Sequence, residues 1–258
     1  MTEALVQLLD GSRAALFLGF VVLLRVGGLV ALAPGVGEQA VPARIKTMIA
    51  LGLTVLVMPA LATDLAPLRS REGIPFWMLS ELMIGLFLGL GLRAFVFALQ
   101  VAGTIAAQAT SLSQLLGGMG GEPQPAVGNL LLIAAIALLM KLGFAVHLTA
   151  FLIGSYDVLP AGAWPDAGAL RMWGVSGIAQ SFVLAFMIAA PFVITGLIYN
   201  VALGAINRAM PQLMVAFVGA PALTAGGLML LAIALPGGIV LWHEAIRDFL
   251  GNPFVVPP

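Results

Sequence analysis

Residues 172–207 read MWGVSGIAQSFVLAFMIAAPFVITGLIYNVALGAIN, and none of them is charged. A continuous helix of this length would be about 54 Å long at ~1.5 Å per residue, whereas the hydrocarbon core of a bilayer is about 30 Å thick. Residues 209–242 form a second uncharged run directly after Arg208. These lengths indicate a helical hairpin that tilts, breaks near Pro191 or is partly covered by protein instead of lipid. Two ordinary tilted and kinked membrane helices are the alternative interpretation.

The composition of the whole chain supports a membrane protein. Of its 258 residues, 61% are hydrophobic and 9% are charged, and the formal net charge is zero. An average soluble domain has about a quarter of its residues charged, so a soluble enzyme is excluded. Net neutrality offers no basic surface to nucleic acid. The absence of cysteine excludes disulfides and thiolate metal sites.

The apolar residues group into blocks that are punctuated by proline and glycine, and none shows the period-two alternation of strands. We therefore predict an all-α, polytopic membrane protein with about six long helices. The blocks are Ala14–Ala33, Ile45–Ala62, Phe76–Thr110, Ala126–Tyr156, Met172–Ala205 and Leu213–Trp242.

The third block carries polar residues at helical spacing on an otherwise apolar background. Steps of seven, four, four and three residues place them on one face of a helix: Arg93, Gln100, Thr104, Gln108 and Ser111. Polar groups in hydrocarbon cost several kcal/mol when they are unsatisfied, so this face must meet protein or water. Two interpretations stay open, a wall of a water-accessible conduit and a set of hydrogen bonds between helices.

Single charges occur within or beside the apolar blocks at Arg25, Glu81 and Lys141. A charge at the centre of a membrane helix costs about 2.5–3.5 kcal/mol on the insertion scale, so Arg25 needs a partner or a wet cavity. A salt bridge within the protein and a contact between subunits are both consistent with the sequence. Only Glu81 and His147 are candidates for a proton relay.

Two further features of the sequence involve glycines, one within the third block and one between the third and fourth blocks. Gly85 and Gly89 have the spacing that allows another helix to approach closely. Residues 117–125 read GGMGGEPQP and interrupt the helices. We interpret this segment either as a plain turn or as a movable plug beside the polar helix face.

A motif near the C-terminus adds a family resemblance. Residues 207–217, NRAMPQLMVAF, resemble the NR-x-x-PQ-x-x-V-x-F signature of the FliR family of flagellar type III export-gate proteins. The preceding PFVITGLIYNVALG, the LRVG beginning at Leu24 and the GSYDVLP beginning at Gly154 are also similar to that family. The similarity runs from about residue 14 to residue 235. The glycines of residues 117–125 and the single His147 depart from the family pattern.

The resemblance implies a fold and a set of partners. By analogy the chain is one FliR-type domain over residues 1–258, with a FliP-like half at 14–165, a plug loop at 110–125 and a FliQ-like hairpin at 170–245. It implies a non-enzymatic subunit without cofactor or metal, in the bacterial inner membrane and the flagellar basal body. The implied partners are FliP, FliQ, FlhB and FlhA, with unfolded flagellar subunits as the cargo.

The resemblance also implies roles for particular residues. The hairpin turn contains the motif residues Asn207, Arg208, Pro211 and Gln212. The pore-facing and plug residues are Gln100, Thr104, Gln108, Ser111, Gln114, Gly117, Gly118, Met119, Gly120 and Gly121. Arg25 and Arg93 are charges within the membrane region.

Three alternatives to a flagellar export subunit remain from the sequence. The equivalent subunit of a virulence injectisome has the same fold. A proton-coupled secondary transporter would require repeated halves with ionisable groups at mid-depth. A structural scaffold would use the polar face only to hold helices together.

Overall fold

The computed structural model of the protein describes residues 2–61, 65, 77–109, 126–210 and 215–252, without the side chains of 2–8, 10, 77, 126, 207 and 215–224. Every regular element in these ranges is an α-helix, which confirms the predicted all-α class. The helices are α1 Thr2–Leu32, α2 Ala43–Val57, α3 Trp77–Ala109, α4 Ala126–Lys141, α5 Phe144–Val158, α6 Ala167–Ala209 and α7 Val215–Gly251.

Four of these helices are long and apolar enough to cross a membrane, within Gly11–Leu32, Met78–Ala109, Ala167–Ile206 and Ala225–Gly251. The chain is thus a polytopic helical membrane protein. Two blocks differ from the expected simple spans. The helix of the second block, α2, is only 15 residues long and ends at Val57, two residues before Pro59, whose ring nitrogen has no N–H to continue the helical hydrogen bonds.

The fourth block is two helices instead of one. α4 and α5 meet at a bend of 77°. Gly143 lies at this bend with a φ of 82°, a left-handed conformation that glycine adopts without steric cost. The pair is either one broken span or a re-entrant segment, which gives up to five spans in total.

α6 and α7 are as long as the uncharged runs suggested. α6 has 43 residues and α7 has 37, or about 64 and 55 Å at ~1.5 Å per residue. α6 continues through Pro191 as an unbroken helix. The break near Pro191 that the sequence allowed is therefore absent, and α6 by itself is about twice as long as a bilayer core is thick.

The described chain divides into two compact units, and the first comprises residues 1–94, 143–177 and 248–258. Its core is formed by apolar side chains of α1, α3 and α5 that are fully or nearly fully buried: Val22, Val26, Leu29, Ile84, Leu88, Leu92, Leu148, Phe151 and Leu152. Aromatic rings continue this packing. The ring centroid of Trp173 lies 4.6 Å from that of Phe87 and 5.8 Å from that of Phe249, with the ring planes tilted in both pairs.

Helices α1 and α3 touch through their backbones in this first unit. A Cβ atom on Gly28 would lie 2.7 Å from the backbone N of Leu86, and one on Gly85 would collide with the carbonyl of Arg25. A Cβ on Gly89 would lie 2.9 Å from the carbonyl of Leu29. The close approach that the spacing of Gly85 and Gly89 predicted is confirmed, and the approaching helix is α1.

The second unit comprises residues 95–142 and 178–247. Trp242 of α7 is fully buried and donates its indole N–H to the carbonyl of Phe95 in α3 over 2.8 Å. α6 packs on α3 where a Cβ on Gly196 would lie 2.6 Å from the carbonyl of Ala109. These contacts hold α6 and α7 against the second part of α3.

We expect Gly28→Ala to destabilise the protein, because the added methyl group meets backbone atoms that cannot move independently. Overpacking of this kind costs about 1–3 kcal/mol. The matched control is Gly27→Ala on the same helix, since a Cβ there meets nothing within 4 Å. The measurement is the thermal melting temperature in detergent. Equal melting temperatures for the two variants would contradict the backbone contact between α1 and α3.

Candidate functional site

The polar face predicted on α3 is accessible along the part of the helix that belongs to the second unit. Gln100 and Thr104 are half-buried and Gln108 is exposed, whereas Ala102 and Ala106 on the other side of the helix are buried. Phe97, one turn before Gln100, is 47% exposed and extends the same face. The helix therefore turns its polar side chains away from its own packing partners.

The hydroxyl and amide groups of this face are uncharged. Thr104 donates its Oγ1 proton to the carbonyl of Gln100 over 2.9 Å, so its hydroxyl oxygen keeps free acceptor capacity. In the part of the chain that the structure describes, the side-chain amides of Gln100 and Gln108 make no hydrogen bond. Each amide offers both donors and an acceptor to groups outside these helices.

Arg93 continues the periodic pattern of the polar face but lies in the first unit, where it forms an ion pair. Its Nη1 lies 2.7 Å from Oε1 of Glu38, and the two side chains are 17% and 20% exposed. Glu38 belongs to the connection between α1 and α2, and Lys46 donates to the Gly37 carbonyl in the same connection over 3.0 Å. The accessible polar face thus consists of the amides and the hydroxyl of α3, whereas Arg93 holds this connection against the helix.

Arg25 has its partner within the chain. Its Nε lies 2.8 Å from Oε2 of Glu81, and both side chains are completely buried. Its Nη1 donates to Oγ of Ser155 over 3.1 Å, and its Nη2 donates to the carbonyl of Leu159 over 2.8 Å and to Oε1 of Glu81 over 3.2 Å. The guanidinium also lies 3.6 Å from the ring centroid of Tyr156, a cation–π distance.

Glu81 is equally well satisfied. Besides the guanidinium of Arg25, its Oε1 accepts the backbone N–H of Gly162 over 2.8 Å. Gly162 has a φ of 75° in the connection between α5 and α6. The ion pair therefore joins α1, α3, α5 and this connection through hydrogen bonds, and a buried charge pair of this kind persists only when such bonds satisfy it.

Sequence reasoning identified Arg25 and Arg93 but not their acidic partners. The signal was present for one of them, since Glu81 is the only acidic residue in the block Phe76–Thr110. A single acid in one apolar block and a single base in another are expected to pair. Glu38 lies in a loop among small residues and gave no such signal.

Several predicted residues lie outside the described residues: Ser111, Gln114, Gly117, Gly118, Met119, Gly120, Gly121, Pro211 and Gln212. Arg208 is exposed at the end of α6, and Asn207 precedes it in the helix. No group of three or more potential metal ligands occurs among the described residues.

Comparison with known proteins decides the family. The sequence model of "Bacterial export proteins, family 1" matches residues 16–249. The flagellar biosynthetic protein FliR of Caulobacter vibrioides is 33% identical over 91% of this chain and 94% of its own length. The chain belongs to the FliR family of bacterial export proteins.

More distant members of the family agree. FliR of Pectobacterium carotovorum is 30% identical over 82% of each chain. FliR of Escherichia coli is 28% identical over 83% of this chain and 82% of its own length. The family resemblance predicted from residues 207–217 is therefore confirmed over most of the sequence.

We expect Arg25→Leu to destabilise the protein strongly, because it leaves the Glu81 carboxylate buried without a counter-charge. Breaking a buried pair from one side costs about 3–5 kcal/mol. Replacing both residues, in Arg25→Leu with Glu81→Leu, is expected to recover most of this loss, since no buried charge remains. The measurement is the melting temperature of the purified protein in detergent.

The matched control is Arg13→Leu, which removes an exposed arginine from the same helix. Its melting temperature is expected to stay close to that of the unchanged protein. A double variant as unstable as Arg25→Leu alone would contradict the pairing, as would an Arg25→Leu variant that melts with the control.

Proposed function

We propose that this protein is a non-enzymatic subunit of the flagellar type III export gate in the bacterial inner membrane, at the base of the flagellum. In this role it joins FliP and FliQ in a channel through which unfolded flagellar subunits leave the cell, with FlhB and FlhA as neighbours. Family membership supports the export role, and the accessible, uncharged polar face of α3 is the observation that supports a conduit.

The exposed surface of α6 supports assembly with other helices. The side chains of Ile194, Leu197, Ile198 and Val201 are each about 60% exposed or more. A helix of this length extends well beyond a bilayer core, and apolar side chains outside lipid require cover by protein. Partner subunits such as FliP and FliQ would supply that cover, which explains why a chain with so few charges is stable.

The polar face fits the passage of polypeptides better than it fits a site for one ligand. Gln100, Thr104 and Gln108 form a row of neutral hydrogen-bonding groups with no charge that would retain a charged segment of the cargo. We propose that they line the pore. The plug role of residues 110–125, including Ser111, Gln114 and Gly117 to Gly121, stays a prediction from the family resemblance.

The injectisome subunit is the second candidate and has the same fold. All of the relatives named above are flagellar, which favours the flagellar branch. A proton-coupled transporter is less well supported, since Glu81 is already bonded to Arg25 and His147 lies on an exposed helix face.

Co-purification tests the assembly directly. We expect the protein, tagged at its C-terminus and extracted in a mild detergent, to bring down FliP and FliQ in one stable complex identified by mass spectrometry. An unrelated polytopic membrane protein with the same tag is the control. Recovery of a monomer or homodimer from cells that produce FliP and FliQ would contradict the proposal.

The role of the polar face is tested by Gln108→Leu and Gln100→Leu. If the face lines a conduit, both variants assemble normally but export flagellar subunits more slowly, because the pore wall loses hydrogen-bonding groups. Assembly is measured by co-purification and export by the amount of flagellar protein in the medium. The control is Val101→Leu, which adds bulk at a half-buried position on the flank of this face and keeps the three polar groups.

The alternative of a purely structural face makes the opposite prediction. Hydrogen bonds between helices in membranes contribute only about 0.6 kcal/mol on average, but their loss acts on assembly first. Reduced recovery of the complex in Gln100→Leu and Gln108→Leu, with normal export per assembled complex, would show that this face holds helices together and does not line a conduit.

A further inference from the structure

The polar face of α3 lies beside a direct backbone contact between α3 and α4 in the second unit. Gly103 and Gly128 are both buried, and a Cβ on Gly103 would lie 2.5 Å from the backbone N of Gly128. The two helix axes therefore approach as closely as glycine permits. At this distance, side chains next to the contact on the two helices form one continuous surface.

The side chains that are buried next to this contact indicate that the two helices run in opposite directions. In an antiparallel pair of right-handed helices, the residues that follow two contacting residues rotate toward the same side. Thr104 follows Gly103 and Asn129 follows Gly128, so their side chains emerge on the same side of the pair.

Burial supports this geometry. Ala102 and Ala106 of α3 and Val127 and Leu131 of α4 are buried, and the antiparallel arrangement places all four on the side opposite to the polar face. Asn129 is exposed, as Gln108 is. In a parallel arrangement the two helices would bury opposite sides, which a common core does not allow.

Asn129 has no evident role in the helix itself. It is the fourth residue of α4, inside the helix and not at its N-cap, and asparagine is among the weaker helix formers there. It is also the only hydrogen-bonding side chain in residues 127–140, which read VGNLLLIAAIALLM. An amide in this position needs a polar partner outside the helix.

We infer that Asn129 of α4 extends the polar face of α3, and that the combined surface contacts the main chain of an extended polypeptide in transit. This inference rests on the proposed pore-lining function. Because α4 is antiparallel to α3, Asn129 lies between Gln100 and Thr104 when its position is measured along the axis of α3. The four residues Gln100, Thr104, Gln108 and Asn129 are the polypeptide-facing row.

The chemistry and the spacing of this row fit a main chain. Amide side chains both donate and accept, as peptide groups do, and they distinguish no sequence. Gln100, Thr104 and Gln108 are spaced at about 6 Å along the helix, from four residues at ~1.5 Å each. An extended chain repeats its outward-facing peptide groups every two residues, or about 6.6–6.8 Å.

Site-specific photo-cross-linking in the assembled complex tests the inference. A photoreactive phenylalanine analogue is placed at position 129, and at 104 and 108 for comparison, while a cargo fused to a folded domain is stalled in the channel. The matched control is position 130, because Leu130 is 48% exposed but emerges about 100° further around α4. We expect cross-linking to the cargo at 129 to exceed that at 130 severalfold.

The outcomes separate this inference from the proposed function. Cross-links at 104 and 108 without one at 129, or equal yields at 129 and 130, would overturn the inclusion of Asn129 while the pore-lining role of α3 stands. If none of the positions 104, 108 and 129 cross-links to the cargo in complexes that contain the stalled cargo, both the inclusion of Asn129 and the pore-lining role of α3 are overturned.

Substitution adds a second readout. Asn129→Gln keeps an amide and is expected to export at the normal rate, whereas Asn129→Leu is expected to assemble normally and export several times more slowly. Equal export by assembled complexes of the two variants would overturn the hydrogen-bonding role of Asn129.

Discussion

The ion pair between Arg25 and Glu81 is the interaction on which the first unit depends. An apolar chain offers few groups that can satisfy a charge, and here the guanidinium and the carboxylate share their remaining bonds with Ser155, Leu159 and Gly162. Three helices and the connection after α5 must therefore keep their positions for either charge to remain satisfied. A buried pair contributes little net stability compared with apolar residues, so its value lies in specifying one arrangement.

The glycine contacts make that pairing geometrically possible. Gly85 lies one turn after Glu81 on α3, and a Cβ atom at this position would collide with the backbone of Arg25. With the two backbones in contact, the long arginine side chain has only to run along α3 to reach the carboxylate. A similar glycine contact occurs between Gly103 and Gly128, where the backbones of α3 and α4 touch. Small residues thus determine which polar groups can meet.

Local periodicity explains what the sequence could predict and what it could not. The helical class and the polar face of α3 follow from residues only three to seven positions apart, and both were predictable. The partner of Arg25 is 56 residues away in the sequence, so composition could suggest a pair but not the bonds to Ser155 and Gly162. The bend at Gly143 was missed because a chain with 31 glycines gives no reason to single one out. Asn129 was missed because its significance depends on a neighbouring helix.

The distribution of charge follows from these constraints. Arg25 of α1 and Arg93 of α3 are fixed by acidic partners, whereas the accessible face of α3 keeps only neutral polar groups. A charge on a pore wall would bind oppositely charged segments of a passing chain and slow them, and it would repel like-charged ones. Neutral amides exchange hydrogen bonds with water and with any peptide group at similar free energy, because both offer donors and acceptors. If α3 lines a pore as we propose, a wall that must let every sequence through favours the neutral residues found on α3 and, by the same argument, an asparagine at position 129.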